Sequence, residues 1–243
     1  MALTRIGHKG ADALVPGNTI ASFEKAVEVG VDVIEFDVLW LENGRPGMAA
    51  ELRSPLVVAH DWHAAANKEQ LTLDDALEAF TRPPLDKVVI NLDFKLPGRE
   101  EEAIEMIRRH NLVGRLTIST MEVSTVLKFK ELAPEISRGW TVPKVTRDWL
   151  SKPAWMKPAL GMGLLAVRQR MPGIVRKGIV DLEPEAIWAF FGVLSPRLID
   201  VIKSADLKLN VWTVDSPDRI ASLEAMGVDG ICSNDPRLLQ PKS

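Results

Sequence analysis

The chain has no tyrosine and only one cysteine in 243 residues. The first absence removes the phenol as acid, base or nucleophile; the second leaves Cys232 alone and excludes any internal disulfide. Cys232 sits in the apolar run Gly230-Ile231-Cys232, a setting for a buried, inert thiol. An excess of positive charge is missing too. Lys and Arg number 30 against 33 Asp and Glu, a net charge of −3, so no strongly basic face and no nucleic-acid partner are expected. No apolar run reaches the ~18 residues of a membrane-spanning helix. The chain enters Leu3-Thr4-Arg5-Ile6-Gly7 without the basic start and apolar stretch of a secretory signal, so a cytoplasmic location is expected.

Short apolar runs alternate with helical periodicity over most of the length, the pattern of a parallel sheet with crossover helices. Strands are predicted at Arg5 to Gly7, Val33 to Val38, Val88 to Phe94, Leu116 to Ser119, Ile136 to Trp140, Ala186 to Phe190, Leu207 to Thr213 and Gly230 to Cys232. Helices are predicted at Thr19 to Val29, Leu73 to Phe80, Glu100 to His110, Val123 to Leu132, Pro196 to Ser204 and Pro217 to Ala225, with Thr72 and Ser216 as N-terminal caps. Eight strands is the number at which such a sheet closes, and the expected fold is an α/β TIM (β/α)8 barrel, one domain over residues 1–243. A doubly wound open sheet would carry a glycine-rich phosphate turn after its first strand, and His8-Lys9-Gly10 is not one. Two stretches break the rhythm: Gly44 to Pro55, and an elaborated loop region after the fifth strand, Thr141 to about Lys177, rich in Pro, Gly, Met, Trp and basic residues.

Inside the apolar strands, Glu35 with Asp37 and Asp93 with Lys95 each skip one position. Alternate residues of a strand leave the same face, so each pair aims two charged groups into one space. Burying such charges without partners is expensive, which places a polar site at these strand ends and gives a divalent cation a reason to join the three acids. His8, Ser119, Trp140, Trp212, Asn234 and Asp235 also fall at C-terminal strand ends, the rim where barrels of this kind hold their chemistry. A solvated cluster of ion pairs with Lys95 is the plainer reading of the acids alone.

Seven segments in order tip the balance: Arg5-Ile6-Gly7-His8-Lys9-Gly10, Pro16-Gly17-Asn18-Thr19, Ile34-Glu35-Phe36-Asp37-Val38, Val57-Val58-Ala59-His60-Asp61, Asn91-Leu92-Asp93-Phe94-Lys95, Val211-Trp212-Thr213-Val214-Asp215 and Gly227-Val228-Asp229-Gly230. Together they resemble the glycerophosphodiester phosphodiesterase family along nearly the whole chain. The resemblance implies a TIM barrel that binds Mg²⁺ or Ca²⁺ and cleaves a small-molecule phosphodiester, a glycerophosphodiester, to glycerol phosphate and an alcohol. Relatives that cut lysophospholipids look similar. By motif, the metal ligands would be Glu35, Asp37 and Asp93, and His8 and His60 would be the acid and base. Lys9, Lys95 and Trp212 would contact substrate, Asp61 would hold the histidine and Asn18 the first loop. His63 is demoted to a rim contact and His110 to a structural residue; Asp229 and Asp235 fit turns equally well.

Three positions depart from the family pattern. Lys9 stands for an arginine, Gly17 for an acidic residue and Asp93 for a glutamate. Lysine offers a point charge in place of a planar fork. Gly17 takes a carboxylate from the rim and leaves its usual partner unpaired or differently paired, and the shorter Asp93 requires the cation to shift, a water to intervene or the strand to come closer. Weakened activity in a phosphodiester-binding barrel is therefore one alternative, and a metal-dependent aldolase or isomerase a remoter one. The basic, Trp-bearing residues 141–177 suggest contact with an anionic lipid surface, weighed against an ordinary solvated loop.

Overall fold

The computed structural model describes residues 2–41, 54–67, 70–144 and 157–239. Its strands are β1 (Thr4–His8), β2 (Val33–Leu39), β3 (Val57–Val58), β4 (Val89–Phe94), β5 (Leu116–Thr120), β6 (Ser137–Val142), β7 (Ala186–Phe190), β8 (Lys208–Trp212) and β9 (Gly230–Ser233). The helices are α1 (Ile20–Val29), α2 (Trp62–Asn67), α3 (Leu73–Ala79), α4 (Glu100–Arg109), α5 (Val123–Leu132), α6 (Lys157–Leu182), α7 (Pro196–Ser204) and α8 (Pro217–Ala225). Eight strands run parallel in the order β1-β2-β4-β5-β6-β7-β8-β9, and β9 pairs back to β1 to close a TIM barrel. All eight predicted strands lie in this barrel. The short β3 is an addition that pairs antiparallel with β2, Val58 opposite Val38.

Alternation along β2 shows how the layers form. Ile34, Phe36 and Val38 turn outward beneath the helices, while Glu35 and Asp37 turn into the barrel. Phe23 of α1, Phe36 and Phe80 meet with ring centroids 5.3 to 5.7 Å apart under that layer. Each fully buried ring contributes on the order of 2–3 kcal/mol. A second outer cluster includes Val175, Ile187, Leu198, Ile202 and Val211 on the opposite half of the barrel. The interior is small and mixed: Ile6, Ala186, Trp188 and Cys232 pack with Val33 and Trp212. Burial pushes the Cys232 thiol well up, which keeps it protonated.

Helix starts follow local chemistry. Thr19 accepts from the Ser22 N–H, Thr72 from the Asp75 N–H and Ser195 from the Leu198 N–H. Ser216 stands at the α8 N-cap position, but its side chain makes no capping bond; Pro217 in the first turn supplies the helical φ instead.

The expected loop after the fifth strand is corrected in part. Thr141 and Val142 finish β6, residues 145–156 lie outside the described residues, and residues 157–177 are helix, the larger part of the 26-residue α6. Its glycines and Pro172 read as loop chemistry, yet Gly178 is there for packing. A Cβ at that position would sit 2.1 Å from the Trp140 ring. Most of the predicted excursion from Gly44 to Pro55 also lies outside the described residues.

Candidate active site

Strand register assembles the polar side chains. β1 and β2 pair His8 with Glu35, β2 and β4 pair Asp37 with Asp93, and β4 and β5 pair Asp93 with Ser119. Laterally paired residues share a face, so all of these point into the C-terminal mouth of the barrel. Oxygens of Glu35, Asp37 and Asp93 lie within 4.8 Å of one another. His8 Nε2 is 3.9 Å from Glu35 Oε2.

Lys95 joins the same group, its Nζ 2.6 Å from Asp37 Oδ1 and in an ion pair with Asp93. Asn18 clamps Asp37 from behind: its Nδ2 donates to Asp37 Oδ2 at 2.9 Å and its Oδ1 accepts the Asp37 N–H at 3.2 Å. The Lys9 N–H donates to Glu35 Oε2 at 3.0 Å. Gly10 makes that turn, at φ 88°, where a Cβ would strike the Ser22 backbone at 2.7 Å. Burial and the charge of Asp37 push the Glu35 carboxyl well up, with Lys95 opposing. On Asp37 burial acts upward, but the charges of Lys95, His60 and His8 win and hold it below the usual range. Lys95 is raised because Asp37, Asp93 and Glu35 outweigh its own desolvation. Three carboxylates thus face one ammonium, with oxygen donors throughout, an acidic cluster that suits a hard divalent cation.

The hydrogen-bond chain behind His8 determines its tautomer. Asp215 can only accept, and it receives the Asn234 N–H at 2.8 Å, Asn234 Nδ2 at 2.6 Å and Ser233 Oγ at 2.9 Å. Asn234 Oδ1 is therefore the atom turned to His8 Nδ1, 2.6 Å away, and Nδ1 must carry the proton. That leaves Nε2 facing the carboxylates with a lone pair. Burial lowers the pKa of His8. In the sequence Asn234 is only a polar strand end and Asp215 only part of a motif. Their use in orienting His8 depends on a contact across 226 residues, for which the local sequence carries no signal.

His60 reaches the mouth by a different route. Because β3 runs antiparallel to β2, the residues after Val58 travel back toward Asp37. The charge of Asp37 pulls the His60 pKa up, while burial and the charges of Lys95 and Lys9 prevail and lower it. Asp61 lies 3.8 Å from His60 Nδ1, and its Oδ1 accepts the Ala64 N–H at 2.8 Å, so it opens α2 besides neighbouring the imidazole. Trp212 donates from Nε1 to the Trp188 carbonyl at 3.1 Å, with Phe190 5.5 Å from its ring. His63 is exposed on α2, and His110 pairs with Asp74 at 2.6 Å between outer helices. Asp229 binds Lys203 and the Leu209 N–H, and Asp235 binds Arg237.

Gly17 leaves no hole. Asp12 fills the space: its Oδ1 accepts the Gly17 N–H at 2.8 Å, and a Cβ on Gly17 would sit 2.4 Å from that oxygen. Asp12 Oδ2 stands 3.6 Å from Lys9 Nζ. The rim thus keeps a carboxylate beside Lys9, delivered from another position. Clefts of about 450 and 490 Å³ lie elsewhere, between α6 and α7 and between α4 and α5, and neither is lined by a histidine.

Comparison with known proteins bears on the same residues. The profile of the "Glycerophosphoryl diester phosphodiesterase family" matches residues 8–47 and 55–238. A glycerophosphodiester phosphodiesterase of Caldanaerobacter subterraneus subsp. tengcongensis is 27% identical, covering 96% of this chain and 95% of its own. Among solved structures, an Oleispira antarctica phosphodiesterase in complex with the product sn-glycerol-3-phosphate aligns with TM-score 0.68 at 20% identity, over 97% of this chain and 94% of that one. A glycerophosphodiester phosphodiesterase from Thermotoga maritima aligns with TM-score 0.69 at 16% identity, over 98% and 97%. With its barrel closed and the family profile matched from His8 to Leu238, the chain belongs to the glycerophosphoryl diester phosphodiesterase family, a family of phosphoric diester hydrolases.

Proposed function

We propose that this chain hydrolyses glycerophosphodiesters to glycerol phosphate and an alcohol, using His8 and His60 as acid and base and a divalent cation, Mg²⁺ or Ca²⁺, held by Glu35, Asp37 and Asp93. The observation that carries the reading is the meeting of three carboxylates within 4.8 Å, with His8 Nε2 standing 3.9 Å from one of them, Glu35. A bound cation would neutralise the phosphate and stabilise charge developing on its oxygens.

The chain's own residues supply the rest. One imidazole takes the proton of the attacking oxygen as that oxygen bonds to phosphorus; the other donates a proton to the alcohol as its P–O bond breaks. The Nδ1 hydrogen bond to Asn234 suits His8 to the accepting role, since it presents Nε2 ready to receive. Half-exposed His60 then serves as the donor. Lys95 keeps the acidic nest from repelling an anionic substrate, Lys9 brings a second ammonium to the rim, and Trp212 supplies an apolar wall. The test is a substrate panel led by glycerophosphocholine, with Mg²⁺, Ca²⁺ or chelator. Turnover should vanish with chelation and in His8→Ala and His60→Ala; turnover that survives either treatment refutes the mechanism.

A further inference from the structure

Among the described side chains of α6, only those of its C-terminal part are buried. Met171, Val175 and Leu182 are buried, whereas every residue from 161 to 170 is exposed. Ten helical residues rise about 15 Å, so nearly three turns lie largely in solvent, meeting the barrel at Leu164. The first seven, Gly161 to Val167, are not the polar residues such an extension needs in water. Met162 is 70% and Leu165 53% exposed, and Leu164 and Val167 are exposed as well. By helical periodicity Leu164 and Val167 continue the stripe that packs at Met171 and Val175, while Met162 and Leu165, one turn apart, look away from it. A helix held by tertiary packing normally turns its polar face outward.

Charge identifies what could cover this surface. From Lys157 to Val180 there is no Asp or Glu, but there are Lys157, Arg168, Arg170, Arg176 and Lys177, in a chain whose total charge is −3. Apolar side chains flanked by basic ones with no acid in the same helical stretch are the features of a helix lying in a bilayer interface. The placement agrees. β6 ends at the rim that carries His8 and the carboxylates, and α6 runs back from that rim, so its exposed half stands at the mouth end of the barrel. Leu164 marks the junction: its Cδ2 would lie 3.2 Å from a Cβ on Gly192, just past Phe190, the ring next to Trp212. No described helix is long and apolar enough to cross a membrane, so the mode is lying on the surface.

We propose that the exposed half of α6 docks the protein on an anionic lipid bilayer, with Met162 and Leu165 entering the headgroup boundary and Arg168 and Arg170 meeting lipid phosphates. This docking stands apart from the catalytic reading above. The experiment is co-sedimentation of the full chain with vesicles of phosphatidylcholine alone and of phosphatidylcholine with phosphatidylglycerol. Binding should require phosphatidylglycerol and weaken with salt. Arg168→Gln with Arg170→Gln should reduce partitioning roughly 25-fold, about fivefold per charge. Met162→Gln with Leu165→Gln should also release the protein, and both pairs should leave the thermal unfolding midpoint and the hydrolysis of soluble glycerophosphocholine unchanged. Absence of binding by the intact chain, binding indifferent to both pairs, or a lipid-free dimer dispersed by the Met162 and Leu165 changes would overturn the proposal. Vesicle binding by a protein without phosphodiesterase activity would overturn only the catalytic reading.

Discussion

Gly17→Ala is a small change with a large predicted consequence. The new Cβ would lie 2.4 Å from Asp12 Oδ1 and 2.7 Å from Lys9 Cβ, distances that require something to move. The easiest motion swings Asp12 away, which breaks its hydrogen bond from the Gly17 N–H at 2.8 Å and leaves Lys9 without its carboxylate. A partly buried hydrogen bond to a charged acceptor is worth about 1–2 kcal/mol. Exposed Gly→Ala changes at compatible backbone angles usually stabilise by about 0.4–1 kcal/mol, so the expected sign here is opposite to the usual one. Urea unfolding should show Gly17→Ala destabilised by about 1–2 kcal/mol, and the KM for glycerophosphocholine should rise more than kcat falls, because Lys9 loses its orientation. Asp12→Gly removes the obstacle, so the double variant should be more stable than the two single effects predict, with a coupling near 1 kcal/mol. Additive effects, or a Gly17→Ala protein as stable as the parent, would refute the idea that Asp12 occupies the missing side chain's space.

Three further outcomes follow from contacts already described. Asn234→Leu removes the acceptor that holds the proton on His8 Nδ1 and should lower kcat on the order of 10²-fold, checked by steady-state kinetics, and the thermal midpoint should fall as well because the Nδ2 bond to Asp215 is lost. Asp74 is held below the usual carboxylate range by the His110 hydrogen bond, with Arg109 adding to it. A depressed acid stabilises the fold above its unfolded pKa and loses that contribution as pH falls through the folded value. Asp74→Asn should therefore lower the melting temperature at pH 7 more than at pH 3, as a pair of thermal scans would show. Gly178→Ala would drive a Cβ into the Trp140 ring and should destabilise by about 1–3 kcal/mol, read in urea, as α6 lifts from β6.

What was legible in the sequence divides along physical lines. Period-two alternation in Ile34-Glu35-Phe36-Asp37-Val38 is local, and it announced both a strand and the face on which its acids meet; register with β1 and β4 then needed no further information to place His8 and Asp93 beside them. The helix α6 reads as loop because Gly and Pro carry two meanings: Gly178 and Pro172 lower local helix propensity, and only the Trp140 ring, 38 residues earlier in the chain, explains why a glycine is required there. The same limit applies at the rim. The pattern showed that Gly17 lacks a carboxylate, but whether one is missing from the site depends on the volume around it, and that volume is taken by Asp12. Side-chain chemistry read by position is thus reliable where backbone geometry alone sets direction, as in a strand, and fails where a neighbour from another turn or strand can substitute for the absent group. Lys9, Asp12 and Gly17 have to be judged together for that reason: Lys9 and Gly17 each depart from expectation alone, yet the pair that Lys9 forms with Asp12 keeps an ammonium beside the acidic mouth.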